Sequence, residues 1–303
     1  MTGSTPQLPL VTIVTPTYNM ARFLPETIES VLSQDYPHIQ YIVMDAASKD
    51  NTVEILKSYG SRLEWVSERD EGQSDAVNKG FLRAKGEIFT FLNADDVYYP
   101  GAVRAAVEEF SRRPDAGVVY GNAWYTREDG TPTTRYPVQA FDYDLLGHLC
   151  FVCQPASFLR SKVWAEVGGL NKSLHLTLDY DLWLRVAKLY PMTYIDRDLA
   201  TCRMYLDNKS LGRRTEQFRE ICQITRKHRG YVPLNWLYGY AGYLLDGKDN
   251  FYDPSLPSVK KYLLTLGMGL WFNPLRPHLF LKECLGSAGL GMRMLVTGRD
   301  TRT

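Results

Sequence analysis

Gly86-Glu87-Ile88-Phe89-Thr90-Phe91-Leu92-Asn93-Ala94-Asp95-Asp96 decides how the chain folds. The run from Ile88 to Leu92 is apolar or β-branched throughout, which predicts a buried strand, and two adjacent carboxylates follow where that strand meets solvent. Neighbouring carboxylates repel, and burial raises the cost, unless a cation lies between them and something else. A divalent metal is the best reason for the pair. Mg²⁺, or Mn²⁺ in its place, is commonly held by one or two carboxylates and completes its shell with water and substrate phosphates, so Asp95 and Asp96 are the candidate metal ligands. A helix cap ahead of Pro100 accounts for one of the two acids and not for both.

Outward from this stretch the same unit repeats. Runs at Leu10 to Thr15, Gln40 to Asp45 and Leu63 to Ser67 read as strands, and helical spacing follows at Phe23 to Gln34, Thr52 to Tyr59 and Gln73 to Ala84. Ile88 to Leu92 with Gly101 to Phe110 adds a fourth unit. Short apolar strands alternating with amphipathic helices predict an α/β fold: a Rossmann-like, mostly parallel sheet with right-handed crossovers and helices on both faces. Asp45, Asp70 and Asp95 each follow a strand at intervals of 25 residues, so all three are placed at the carboxyl ends of parallel strands, where ligands bind. No Gly-rich dinucleotide fingerprint and no Walker sequence is present. Thr15-Pro16-Thr17-Tyr18-Asn19 ends the first strand instead, with Pro16 and Asn19 turning the chain and Tyr18 offering a ring face to a base. Asp50 and Asn51 have a plain capping explanation, whereas Asp45 precedes the turn and has none.

The 303 residues are enough for one large α/β domain and an appendage. A formal net charge of +1 conceals an asymmetry: residues 1 to 208 carry 20 Lys and Arg against 27 Asp and Glu, and residues 209 to 303 carry 15 against 7. The front is acidic and the tail basic. Nucleic acid is not an expected partner, because no single-sign stripe dominates the body and no nucleic-acid signature occurs. Five sparse cysteines imply no disulfide framework and a reducing compartment, and Cys150-Phe151-Val152-Cys153, lacking a second pair, reads as small buried hydrophobes. Met1-Thr2-Gly3-Ser4-Thr5-Pro6 does not read as a signal peptide. His148 and His175 are candidate extra metal ligands whose plainer role is structural.

Taken together, the segments resemble glycosyltransferase family 2, nucleotide-sugar transferases of the GT-A fold. The carriers are Val14 to Asn19, Asp45-Ala46-Ala47-Ser48-Lys49-Asp50-Asn51-Thr52, Glu68 to Gly80, and Asn93-Ala94-Asp95-Asp96. Gln154-Pro155-Ala156-Ser157-Phe158, Gly168-Gly169-Leu170 and Leu178-Asp179-Tyr180-Asp181-Leu182-Trp183-Leu184-Arg185 continue the resemblance, which covers the first two-thirds of the chain. It implies a catalytic domain over residues 1 to 208, with a nucleotide-binding half over about 8 to 120 and an acceptor half over about 121 to 208, followed by a helical, basic extension over 209 to 303. It also implies that Thr15, Pro16, Thr17, Tyr18, Asp45, Asp70, Asn78, Lys79 and Asp95 surround the nucleotide and that Asp95 and Asp96 carry the metal on the diphosphate. Two departures stand out. Asn93 occupies a position where Asp is frequent, which leaves Asp96 as the preferred direct ligand, and Ala46-Ala47 replace residues that are usually Gly or Ser.

The implied reaction is inverting transfer of a sugar from a nucleoside diphosphate, UDP-sugar favoured, to a hydroxyl acceptor, in cell-surface polysaccharide or glycolipid synthesis. A carboxylate must take the acceptor proton. Asp179, at the N-terminal end of a helix, matches the family's base position; Asp181 is the less favoured alternative. Gln154, Trp124 and Trp183 are the candidate acceptor contacts, with plain core packing the alternative for Trp183. Rival readings are a sugar nucleotidyltransferase, whose Gly-rich loop is missing from Val11 to Arg22, and a non-catalytic glycan-binding or scaffold protein. The uncharged run Tyr262 to Leu275 is too short to span a bilayer. With Lys260, Lys261, Arg276, Lys282 and Arg293 around it, the run suits an interfacial segment on anionic lipid, or else a helical cap or homodimer surface. The expectation is a cytoplasmic enzyme, peripheral on the inner face of the membrane, acting on a glycan or lipid-linked glycan.

Overall fold

A computed structural model describes residues 8 to 247 and 258 to 286. Arg293 lies outside the described residues. The first half of the chain alternates β1 (Val11–Thr17), α1 (Leu24–Leu32), β2 (Ile39–Asp45), α2 (Thr52–Ser58), β3 (Glu64–Ser67), α3 (Gln73–Leu82), β4 (Ile88–Phe91), the short β5 (Val97–Tyr98) and α4 (Ala102–Arg112). The four anticipated βα units are all present, with ends shifted by at most two residues. Every residue of β1 is buried, because β2 and β4 flank it in parallel and helices cover both faces.

After α4 the chain forms β6 (Val118–Thr126), β7 (Pro132–Arg135), α5 (Tyr143–Leu146), β8 (Ser157–Arg160), α6 (Ser161–Val167), α7 (Leu178–Val186) and β9 (Met192–Arg203). The sheet runs β3-β2-β1-β4-β8-β6-β9-β5, with β7 paired to β6. Its first half is parallel; β8 then joins β4 and β6 antiparallel. Parallel register sets Thr17 beside Asp45 and Asp45 beside Ser67, so Thr17 and Asp45 lie together at the carboxyl ends of their strands.

The remaining helices are α8 (Lys209–Gly212), α9 (Arg214–Arg229), α10 (Leu234–Asp246) and α11 (Val259–Phe272). Two units result. One comprises Met1–Tyr143 and Cys150–Asn208; the other comprises Asp144–Leu149 and Lys209–Thr303. The second therefore includes the short segment Asp144–Leu149 as well as the basic extension. Within it α9 ends on Gly230, and α10 packs along α11. No helix among the described residues is long and apolar enough to cross a membrane.

Candidate functional site

The acid turn begins where β4 runs out. Asp96 is 3% exposed, and both of its carboxylate oxygens are engaged inside the protein: the Arg203 main-chain N–H donates to one at 3.0 Å, and the Asn93 amide donates to the other at 2.9 Å. Asp95 is half-buried; its carboxylate accepts from the Tyr205 hydroxyl at 2.9 Å. Burial pushes both carboxyls above the usual carboxylate range, and the Asp95 charge adds to the effect on Asp96. Asp96, the preferred direct ligand on sequence grounds, is thus the locked member of the pair, and Asp95 is the one that retains solvent access.

Arg203 holds this turn from behind. Its side chain is 3% exposed; Nε donates to the Asp95 carbonyl at 2.9 Å, Nη1 to the Glu128 carbonyl at 2.6 Å and Nη2 to the Glu26 carboxylate at 2.5 Å. A buried guanidinium with its fork filled brings positive charge to the two acids and fixes the backbone between them. On the other side, Asn93 accepts from Gln73 at 2.7 Å and donates to Gln154 at 3.2 Å, while Gln154 donates to the Phe91 carbonyl at 2.5 Å. An Asp at position 93 would replace the amide donor by a third negative group; Asn is the residue type that joins Asp96 to Gln154.

Several of the candidate nucleotide residues are arranged around Asp45. It is 2% exposed and accepts from the Ser48 hydroxyl at 2.5 Å, the Ser48 N–H at 3.1 Å and the Ser67 hydroxyl at 2.5 Å. Ala47 sits at φ 58° and Asn19 at φ 53°, both left-handed, and the two turns are stitched together by Asn19 N–H to Ser48 at 2.7 Å and Lys49 N–H to the Asn19 amide oxygen at 2.8 Å. Alanine in that conformation is strained, and strain of this kind gathers at ligand sites. Thr15, Pro16 and Thr17 lie within buried β1, Thr15 shares a hydrogen bond with Tyr41 at 3.1 Å, and Tyr18 stands 52% exposed beyond the strand end. Asp70 accepts from the Gly72 N–H at 2.8 Å and shapes the entry to α3.

Asn78 and Lys79 have partners inside the protein. The Asn78 amide bonds both to the Leu170 carbonyl and to its N–H, each at 2.9 Å, and Gly169, at φ 71°, leaves room that a Cβ 2.8 Å from the Asn78 oxygen would close. Lys79 pairs with Asp75 at 3.1 Å and Glu68 at 3.3 Å. These contacts make both residues braces between α3 and its neighbours.

Asp179 lies in the first turn of α7. Burial pushes its carboxyl up to about 6, against the opposing pull of main-chain N–H groups at the helix start. Asp181 is 1% exposed and paired with Arg185 at 2.8 Å, and Arg185 also reaches the Val167 carbonyl at 2.6 Å, so Asp181 anchors α7 to α6. The segment Cys150–Gln154 runs between the acids: burial, and after it the Asp179 charge, pushes the Cys150 thiol up, the Cys153 thiol is hydrogen-bonded with Cys202 near Asp95 and Asp96, and Gln154 accepts from Asn93. All five cysteines are free thiols.

The family model for glycosyl transferase family 2 matches residues 12–167. The chain belongs to glycosyl transferase family 2. It is 30% identical over 226 residues to an uncharacterized glycosyltransferase of Rickettsia felis, covering 71% of this chain and 37% of that protein; the chain thus spans little more than a third of that relative. Among solved structures, S. aureus TarS in complex with UDP-GlcNAc superposes with a TM-score of 0.61 at 15% identity, covering 89% of this chain and 83% of that one. The mannosyltransferase PcManGT from Pyrobaculum calidifontis, in complex with GDP-Man and Mn²⁺, superposes at 0.55 and 17% identity, covering 97% and 82%. The mixed, mostly parallel sheet flanked by helices is therefore the GT-A fold.

Within this glycosyltransferase fold one candidate acceptor contact is corrected. Trp183 is 1% exposed and packs in the core, so it has no face free for a sugar. Trp124 is half-buried, with the Arg135 guanidinium 5.3 Å from its ring centre, and Gln154, 7% exposed, serves the acid turn. His148 faces Glu283 at 3.4 Å within the second unit, and His175 is an exposed residue. Among the described residues no group of three or more His, Cys, Asp or Glu gathers as a metal cage. Sequence reasoning missed Gln73, Ser48, Ser67, Arg203 and Tyr205. Ser48, Ser67 and Gln73 lay inside segments already singled out; Arg203 and Tyr205 did not.

Proposed function

We propose that the protein transfers a sugar from a nucleoside diphosphate, UDP favoured, to a hydroxyl of a glycan or lipid-linked glycan, with inversion at the anomeric carbon. The observation that carries this reading is the division of labour in the acid turn: Asp96 is tied down on both oxygens while Asp95 keeps access to solvent. Two buried-edge carboxylates with raised proton affinity suit a divalent cation that completes its shell with diphosphate oxygens and water. Asp95 is the direct contact in this reading and Asp96 the support. Asp95 and Asp96 would hold Mn²⁺ or Mg²⁺, which would supply charge neutralisation for the departing diphosphate.

The chain's own residues do the rest. Tyr18, with Asp45 and the strained Ala47 turn, forms the base and ribose platform, and Asp70 shapes its rim. Asp179 accepts the proton of the acceptor hydroxyl as that oxygen bonds to the anomeric carbon and the bond to the diphosphate breaks. A carboxyl pushed up to about 6 is a stronger base than an ordinary aspartate and remains ionised at neutral pH. Trp124 is the remaining aromatic candidate on the acceptor side. The bound nucleotides named for TarS and PcManGT, and the Mn²⁺ of the latter, support a metal-assisted nucleotide-sugar donor.

A thermal-shift panel of UDP and GDP with and without Mn²⁺ tests the reading. Stabilisation by one nucleotide that requires the metal is the expected result, with a shift that grows with ligand concentration. Absence of any metal-dependent shift contradicts it.

A further inference from the structure

Helix α11 is inside out. Lys261, Thr265 and Gly269 recur every fourth residue along its buried side, and Asn273 continues the line just past its end. Each buried polar group is served: Lys261 pairs with Asp246 of α10 at 2.5 Å, the Thr265 hydroxyl donates to the Lys261 carbonyl at 2.7 Å, and Asn273 bonds to Val232 N–H and carbonyl at 2.6 and 3.1 Å. Gly269 admits the Phe280 ring, where a Cβ would lie 2.0 Å from it. The outward side carries Val259, Leu263, Leu270 and Trp271, exposed by 76%, 62%, 54% and 81%, and Leu275 and Leu285 extend it at 91% and 75%.

A helix that buries its polar line and presents its apolar one is built to meet an apolar phase. We propose that this face docks, lying in the interface plane, on an anionic lipid bilayer. The charges around it select that occupant. Lys260, Arg276 and Lys282 are exposed beside the apolar line, and the sequence from Lys261 to Lys282 contains no Asp or Glu. Anionic headgroups complement such a rim, while the acyl boundary takes the leucines and Trp271. A second copy of the chain is the poorer fit, because a two-fold contact through the same patch brings these cations against their own counterparts. The inference does not depend on the sugar-transfer reading.

Flotation of the full chain with vesicles tests it. The protein is expected to float with phosphatidylcholine vesicles containing phosphatidylglycerol, and about tenfold less with phosphatidylcholine alone. The double variant L270E/W271E, altered only at exposed positions, is expected to lose anionic-vesicle binding by a similar factor with an unchanged unfolding midpoint. Brominated lipid should quench wild-type tryptophan emission, and Trp271→Phe should remove that quenching. The proposal is overturned if the wild type does not float with anionic vesicles or if the double variant floats equally well. It is also overturned if sedimentation shows a dimer that the double variant abolishes while vesicles bind neither protein.

Discussion

The Asp95–Asp96 turn and helix α11 both bury polar groups, and they differ in what they leave outside. In the turn, Arg203, Asn93 and Tyr205 satisfy the buried oxygens, and a carboxylate remains at the solvent edge. In α11, Asp246, Val232 and the helix's own carbonyls satisfy the buried polar line, and leucines with Trp271 remain outside. Burying polarity costs energy unless partners are supplied, so each arrangement needs a reason on its open side. An open carboxylate calls for a cation; an open apolar line rimmed by lysine and arginine calls for lipid.

The comparison breaks most visibly at the proposed base, Asp179. Asp179→Asn is expected to lower kcat about 10²- to 10⁴-fold with nucleotide binding retained, measured by single-turnover transfer. The wild-type rate should fall on the acid side with a midpoint near pH 6, where Asp179 takes up its proton. The stability effect has the opposite sign. A carboxyl raised to about 6 in the folded state, against its ordinary value near 4, binds protons more tightly folded than unfolded, so its contribution to stability is greatest below about pH 4 and declines as pH rises to about 6. Asp179→Asn should therefore stabilise the fold at neutral pH by about 1–2 kcal/mol, and the gain should shrink toward pH 4, as read by denaturant midpoints at several pH values.

Arg203→Ala strips the acid turn of its brace and strands buried partners, with an expected loss of about 3–5 kcal/mol in chemical unfolding. Arg203→Lys keeps the charge but not the three-way fork, and should recover only part of that loss. Lys261→Ala makes the matching break in α11, leaving Asp246 without its 2.5 Å ion pair; the half-exposed Asp246 limits the loss to about 1–3 kcal/mol in the same assay. Smallest is Ala47→Gly, which relieves a left-handed alanine and should raise stability by up to about 1 kcal/mol while loosening nucleotide affinity, both measurable by thermal shift.

The βα alternation was legible because strand and helix periods are local, and so was the placement of Asp45 and Asp95 at strand ends, which follows from parallel register. Arg203 and Tyr205 were not legible. They stand more than a hundred residues from Asp95, and antiparallel pairing of β5 with β9 is what returns them to the turn. The depth of Asp96 and of Trp183 was not legible for a related reason: residue type suggests metal binding or sugar stacking, but neighbours distant in sequence set how deep a side chain lies. The run Tyr262 to Leu275 invited an interfacial reading from its lack of charge. The helix continues through Gly267 and Gly269, because Phe280 fills the notch at Gly269.

The most direct test of the central claim is a titration of Mn²⁺ by electron paramagnetic resonance in the presence of UDP, comparing the wild type with Asp95→Asn. One Mn²⁺ bound per wild-type chain only when UDP is present, and little or none in the variant despite its unchanged fold, is the result the acid turn leads us to expect. Equal Mn²⁺ uptake by both proteins, or none by the wild type with UDP, contradicts the assignment of Asp95 as the residue that holds the cation on the diphosphate.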